Sequence, residues 1–182
     1  AVDLEAVIRQ ILAFMEKDAQ RRCIAIVVTV TGEIPVFNGD RGNIQQVLLN
    51  LINNALAAMA EGGRLEVAIA RHGPHRVRVS VSDTGHGIPE ADLKQVFEPF
   101  FSTRQGQAAV GLGLSISYGM VTEMGGEIEG ESQVDQGTCI TVTLPLQPPQ
   151  PSSPTVCAVD PAQPQGGDNR PDEHMDQQGK KA

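Results

Sequence analysis

An α+β fold of two layers is predicted for residues 1–146, with three main helices on one face of a mixed, mostly antiparallel sheet of about five strands. Three features of the sequence predict it. Hydrophobic residues make up 40% of the 182-residue chain, enough for a packed core, while aromatics are only 3%, so Leu, Ile, Val and Ala must build that core. The apolar spacing switches several times between the helical period and strand alternation. Glycine and proline punctuate the switches. Gathering the helices on one face of such a sheet buries the apolar stripe of each helix and one face of the sheet together.

The elements follow in order. Leu4, Val7, Ile8, Ile11, Leu12 and Met15 recur at helical spacing. Ile24 to Val30 is short and β-branched, which predicts a strand. Gly32 to Asp40 is a loop, and Asp40 is placed to cap the next helix. Val47, Leu48, Leu51, Ile52, Ala55 and Met59 form a long apolar stripe, expected to end at Glu61-Gly62-Gly63. Two alternating runs, Arg64–Arg71 and Arg76–Ser82, are joined by His72-Gly73-Pro74-His75 and predict a hairpin. A loop is expected from Asp83 to Gly111, a helix from Leu112 to Met124, and two closing strands at Glu127–Glu131 and Thr138–Leu144.

Residues 147–182 differ in kind. They hold seven of the twelve prolines, six glutamines and no aromatic residue. Such a segment buries too little apolar area to offset chain entropy, so a disordered tail or linker is expected. The net charge of −8 lacks the Lys/Arg clustering that phosphate neutralisation requires, which argues against nucleic-acid binding. The three cysteines, Cys23, Cys139 and Cys157, match no metal or disulfide spacing, and a reducing cytoplasmic compartment is expected. No apolar run approaches the roughly 20 residues of a membrane span, so any anchor of a parent protein would lie outside this chain.

Four segments carry candidate chemistry. Asn50 and Asn54 are four residues apart and share a helix face, where stacked amide oxygens suit a hard cation. An ordinary exposed polar face is the competing explanation. In Ser82-Asp83-Thr84-Gly85-His86-Gly87, a strand delivers a carboxylate to its end and two glycines turn the chain away. That carboxylate suits an exocyclic amine, although Asp and Gly are also common turn residues. Val96-Phe97-Glu98-Pro99-Phe100-Phe101 carries three of the five phenylalanines in a loop, either anchoring it to the core or hinging a lid. Gly111-Leu112-Gly113-Leu114 opens a helix, where unpaired N–H groups attract anions, and Arg104 lies just upstream. A glycine-rich turn alone is weakly specific.

In combination, order and spacing, these four segments resemble the asparagine box, first glycine box, phenylalanine box and second glycine box of the histidine-kinase catalytic domain. That family shares the Bergerat ATP-binding fold. The resemblance runs from about Leu4 to Leu146. The wording Phe97-Glu98-Pro99-Phe100-Phe101-Ser102-Thr103 followed by Gly111-Leu112-Gly113-Leu114-Ser115-Ile116-Ser117-Tyr118-Gly119 is similar to the nitrogen-sensor and dicarboxylate-sensor branch. It implies ATP and Mg2+ as ligands. Asn54 would be the magnesium ligand, with Asn50 beside metal and phosphates. Asp83 would accept from the adenine amine, and Gly85 and Gly87 would shape the purine pocket. Arg104 would reach the phosphates, Gly111 and Gly113 would offer backbone amides, and Leu112 and Leu114 would pack the lid. Asn50 and Arg104 are therefore the implied catalytic residues. Hydrolysing relatives carry a glutamate where this chain has Asn50. An amide cannot take a proton from water, so transfer is favoured over hydrolysis.

The resemblance also implies partners, a histidine-bearing dimerisation domain and a response regulator, both outside this chain. The family's acceptor histidine precedes an acidic residue. None of His72, His75, His86 or His174 does. The isolated chain is therefore expected to be monomeric and unable to autophosphorylate. The lid departs from the family pattern, with Ala108-Ala109-Val110 where many relatives carry Lys-Gly-Thr. That departure keeps open an alternative, a kinase-like interaction module without phosphotransfer.

Overall fold

The computed structural model describes residues 1–93, 95–98 and 113–147. The expected tail from residue 148 onward lies outside them. So do Pro99 to Leu112, with Phe100, Phe101, Arg104, Gly111 and the Ala108-Ala109-Val110 lid segment.

Helix α1 (Leu4–Arg21) starts where the Asp3 carboxylate accepts the Ala6 N–H at 3.0 Å. It buries Leu4, Val7, Ile8, Ile11, Leu12 and Met15, the stripe read from the sequence. Strand β1 (Ile24–Thr31) follows. Helix α2 (Arg41–Ala58) is capped by Asp40, whose carboxylate accepts the Asn43 N–H at 3.0 Å. A side-chain cap of this kind contributes about 1 kcal/mol. Strands β2 (Gly63–His72) and β3 (Arg76–Asp83) form the expected hairpin. A single helical turn, α3 (Glu90–Leu93), interrupts the expected loop just after Pro89, whose carbonyl accepts from Asp92 and Leu93. Helix α4 (Gly113–Glu123) leads to β4 (Glu127–Gln133) and β5 (Gly137–Pro145).

Among the described residues the five strands form one sheet in the order β1-β2-β3-β5-β4. Only β1 and β2 pair in parallel, with α2 as the crossover that a parallel pair requires. Most strand and helix ends differ from expectation by one residue, and two differ by more. Helix α2 ends at Ala58 and not at Glu61-Gly62-Gly63, because Gly62 donates to the Arg22 carbonyl at 2.6 Å and Gly63 already pairs with Ile24. Strand β4 continues to Gln133, because its pairing with β5 extends through Ser132↔Thr138 and Gln133↔Gly137.

The core lies between one sheet face and helices α1, α2 and α4. Val67, Val81 and Ile140 are cross-strand partners, as are Ile69, Val79 and Val142, and all are buried. Each such side chain contributes about 1.5–3 kcal/mol on burial. Side chains alternate along a strand, so Val77, Val79, Val81 and Asp83 share the helix-facing side of β3. The apolar face of β3 thus ends in a carboxylate beneath the helices. That placement starts the candidate site.

Candidate functional site

Asp83 is only 8% exposed, and its Oδ1 accepts the Gly85 N–H at 2.8 Å. Its position follows from strand register, with Leu65 on one side and Thr138 on the other. The loop after it is clamped from two directions. On one side it sits against the end of α2. The His86 N–H donates to the Ala58 carbonyl at 3.3 Å, one of the helix-end acceptors that lack an intrahelical donor. On the other side it meets the β4–β5 turn. The Asp135 N–H donates to the His86 carbonyl at 2.9 Å, and the Ile88 N–H donates to Ser132 Oγ at 2.7 Å.

The glycines of this loop have a packing reason that the sequence did not reveal. A Cβ on Gly85 would lie 2.6 Å from the Ala58 carbonyl oxygen. A Cβ on Gly87, where φ is +68°, would lie 2.0 Å from the Gln133 carbonyl oxygen. Gly137, with φ +111°, closes on the Asp83 carbonyl from the strand β5 side. The backbone segments approach as closely as glycine permits.

Helix α2 supplies the second part. Gln46, Asn50, Asn54 and Ala58 are spaced by four residues and line one face. Asn50 Nδ2 donates to the Gly113 carbonyl and to Ser117 Oγ, both at 3.2 Å. Asn50 Oδ1 accepts from Gln46 Nε2 at 3.0 Å. Asn54 lies one turn farther along. A Cβ added to Gly113 would lie 3.7 Å from Asn54 Nδ2. Ala58, one more turn on, touches Gly85. The α2 row therefore runs from the first turn of α4 to the loop held by Asp83, with Asn54 between the two contacts.

The structure thus brings Asn50, Asn54 and Gly113 together, and Asp83 with Gly85. Leu114 is partly buried against the core. Phe97 packs on Tyr118 with ring centroids 5.9 Å apart, so this ring anchors its loop. Arg104, Gly111 and Leu112 lie outside the described residues. Ser117, Gln46 and Ser132 went unnoticed in the sequence. Only Gln46 carried a signal, the same four-residue spacing that marked Asn50 and Asn54.

Residues 39–148 match the family model described as histidine kinase-, DNA gyrase B- and HSP90-like ATPase. The chain belongs to this ATPase family. The domain is 36% identical over 146 residues to sensor histidine kinase ZraS of Klebsiella oxytoca, covering 80% of this chain and 31% of that protein. It therefore spans about a third of the length of the sensor kinase it matches. The catalytic domain of histidine kinase ThkA superposes with a TM-score of 0.72 at 32% identity, covering 81% of this chain and 95% of that domain. ThkA solved in complex with the response regulator TrrA gives a TM-score of 0.68 at 31% identity, covering 80% of this chain and 41% of that one. The fold is that of histidine-kinase catalytic domains, and ATP binding is the family's common property.

Magnesium is implied by the resemblance, and the donor chemistry here fits it. Among the described residues no group of three or more His, Cys, Asp or Glu side chains could hold a metal. Magnesium characteristically binds through few protein oxygens and the phosphates of its substrate. An amide such as Asn54, beside the first turn of α4, meets that requirement.

Proposed function

We propose that this domain holds Mg-ATP and presents its γ-phosphoryl group to a histidine imidazole on a separate dimerisation domain. One observation carries the choice of transfer over hydrolysis. The side chain at the position where hydrolysing relatives carry a glutamate is Asn50, and its amide is engaged by Gln46, Gly113 and Ser117. It supplies no base for water. Transfer instead needs positioning and charge stabilisation.

The proposed roles are those that the family resemblance implies. The Asp83 carboxylate accepts from the adenine amine, since a carboxylate accepts several hydrogens at once. Gly85 and Gly87 let the loop that follows this carboxylate close on α2 and the β4–β5 turn. Asn54 supplies an amide oxygen to magnesium, which offsets phosphate charge when bound. The first turn of α4, at Gly113 and Leu114, directs backbone N–H groups at the phosphates, and the resemblance assigns Gly111, Leu112 and Arg104, outside the described residues, to the same group. In the transfer the γ-phosphorus–oxygen bond breaks, a phosphorus–nitrogen bond forms on the imidazole, and ADP leaves.

The proposed partners are that histidine-bearing domain and a response regulator, supported by the ThkA–TrrA complex for a relative. Among the described residues no helix is long and apolar enough to cross a membrane. A cytoplasmic setting for the domain, monomeric by itself, is part of the proposal.

The test is radiolabelled phosphoryl transfer. With Mg-ATP alone, the chain should bind nucleotide, release little phosphate and incorporate no acid-labile phosphate. Adding a dimerisation domain that carries an acceptor histidine should give phosphohistidine on that partner. Robust incorporation into the isolated chain, or turnover to free phosphate, would overturn the reading. Absence of magnesium-dependent nucleotide binding would favour an interaction module instead.

A further inference from the structure

The described surface and core offer several unassigned features: the exposed Phe14 of α1, the Arg22 contact with the Leu56 carbonyl, and the hydrogen-bonded chain Gln46–Asn50–Ser117. The last extends furthest.

Ser117 is completely buried on α4. Its Oγ donates to the Gly113 carbonyl at 2.8 Å and accepts from Asn50 Nδ2 at 3.2 Å. Asn50 Nδ2 has two hydrogens, and the Gly113 carbonyl takes the other at 3.2 Å. The Gly113 carbonyl fixes which way the Asn50 amide faces, because a flipped Asn50 would place an oxygen against it. With that orientation set, Gln46 Nε2 donates to Asn50 Oδ1 at 3.0 Å and adds a second tie.

We infer that Gln46 and Ser117 form a latch that sets the spacing between α2 and the first turn of α4, and so position the phosphate end of the nucleotide site. The inference rests on the proposed Mg-ATP reading and adds two positioning residues to it. The latch ends on Gly113, whose Cβ position lies 3.7 Å from the Asn54 amide nitrogen. Loosening it lets the first turn of α4 shift relative to Asn54. The adenine end is built separately, from the Asp83–Gly85 hydrogen bond and the Ala58 contact. The two ends of the nucleotide should therefore respond differently.

Ser117→Ala removes the hydroxyl and leaves one partly buried Asn50 N–H without its acceptor. Helix propensity slightly favours the alanine, so the variant should fold. Gln46 is exposed, so Gln46→Ala is a second variant with little risk to folding. Mg-ATP affinity would be measured by calorimetry, and adenosine affinity by NMR titration, for the native chain, both variants and the double variant. We expect Ser117→Ala to weaken Mg-ATP by about 3- to 10-fold, the scale of one net hydrogen bond, and to change adenosine by less than about 2-fold. Gln46→Ala should weaken Mg-ATP less. The double variant should lose less than the product of the two single effects, because both act through one amide. Native-like Mg-ATP affinity in Ser117→Ala would overturn the latch. Equal weakening of adenosine and ATP, the signature of a general packing defect, would overturn it too. Failure of the native chain to bind Mg-ATP would remove the proposed function itself, whereas native binding with unaffected variants removes only the latch.

Discussion

Gly85 lies against Ala58 so closely that a Cβ on the glycine would come within 2.6 Å of the alanine's carbonyl oxygen. The contact seats the loop after β3 on the end of α2. It thereby joins the strand that carries Asp83 to the helix that carries Asn54. For Gly85→Ala, either the loop lifts from α2 or α2 shifts. A strained insertion of this kind costs about 1–3 kcal/mol. Urea unfolding should show that loss, and Mg-ATP affinity should fall by about 10-fold or more as the two elements separate. Native stability together with native affinity would show that the contact yields without consequence.

Asp83→Asn keeps the shape of the side chain and removes its charge. Hydrogen bonds to a charged group contribute about 1.5–3 kcal/mol, so Mg-ATP affinity should fall by about 10- to 100-fold. An amide turned so that its oxygen still accepts from Gly85 would direct N–H groups at the adenine amine, also a donor. Isothermal titration of the variant against Mg-ATP decides this. Unchanged affinity would remove Asp83 from the adenine site.

Arg104 stands where the family resemblance calls for a cation at the phosphates, and the Lys-Gly-Thr of many relatives is replaced by Ala108-Ala109-Val110. The loss of that lysine should leave Arg104 as the principal cationic contact. Arg104→Ala is therefore expected to weaken Mg-ATP binding more than Gly106→Ala. Calorimetric titrations giving equal affinities would show that no such dependence exists.

Across β5, Arg76 at the start of β3 donates to Glu127 at the start of β4 at 2.6 Å. That hydrogen bond, then the guanidinium charge, holds the Glu127 carboxyl below its ordinary value. A depressed carboxyl pKa stabilises the folded state above the unfolded pKa. That contribution is lost as pH falls through the folded value. The pair is solvent-exposed, so its effect on stability is small. A carbon-detected NMR titration should find Glu127 ionising at lower pH than an isolated glutamate, and Arg76→Gln should move it upward. A titration identical in both proteins would rule out the coupling.

The local elements were legible in the sequence because local physics makes them. The helical stripe from Leu4 to Met15, the Asp40 cap and the hairpin around Gly73-Pro74 each depend on residues within a few positions of one another. Asn50 and Asn54 could be placed on one face from their spacing alone. The four motifs together, through their order along the chain, indicated the family that the comparisons then supported.

What the sequence could not specify was decided by contacts between segments far apart in the chain. Ser117 gave no signal, because its partner Asn50 is 67 residues away and only the packing of α4 on α2 joins them. The need for glycine at 85 and 87 arises from carbonyl groups of Ala58 and Gln133, which belong to a helix and a strand end elsewhere in the fold. The parallel pairing of β1 with β2 required α2 to cross the sheet before its strands could meet. Periodicity and capping fix which element each residue joins. Which side chains meet across elements depends on the closed core, where shape and hydrogen-bond satisfaction leave few arrangements.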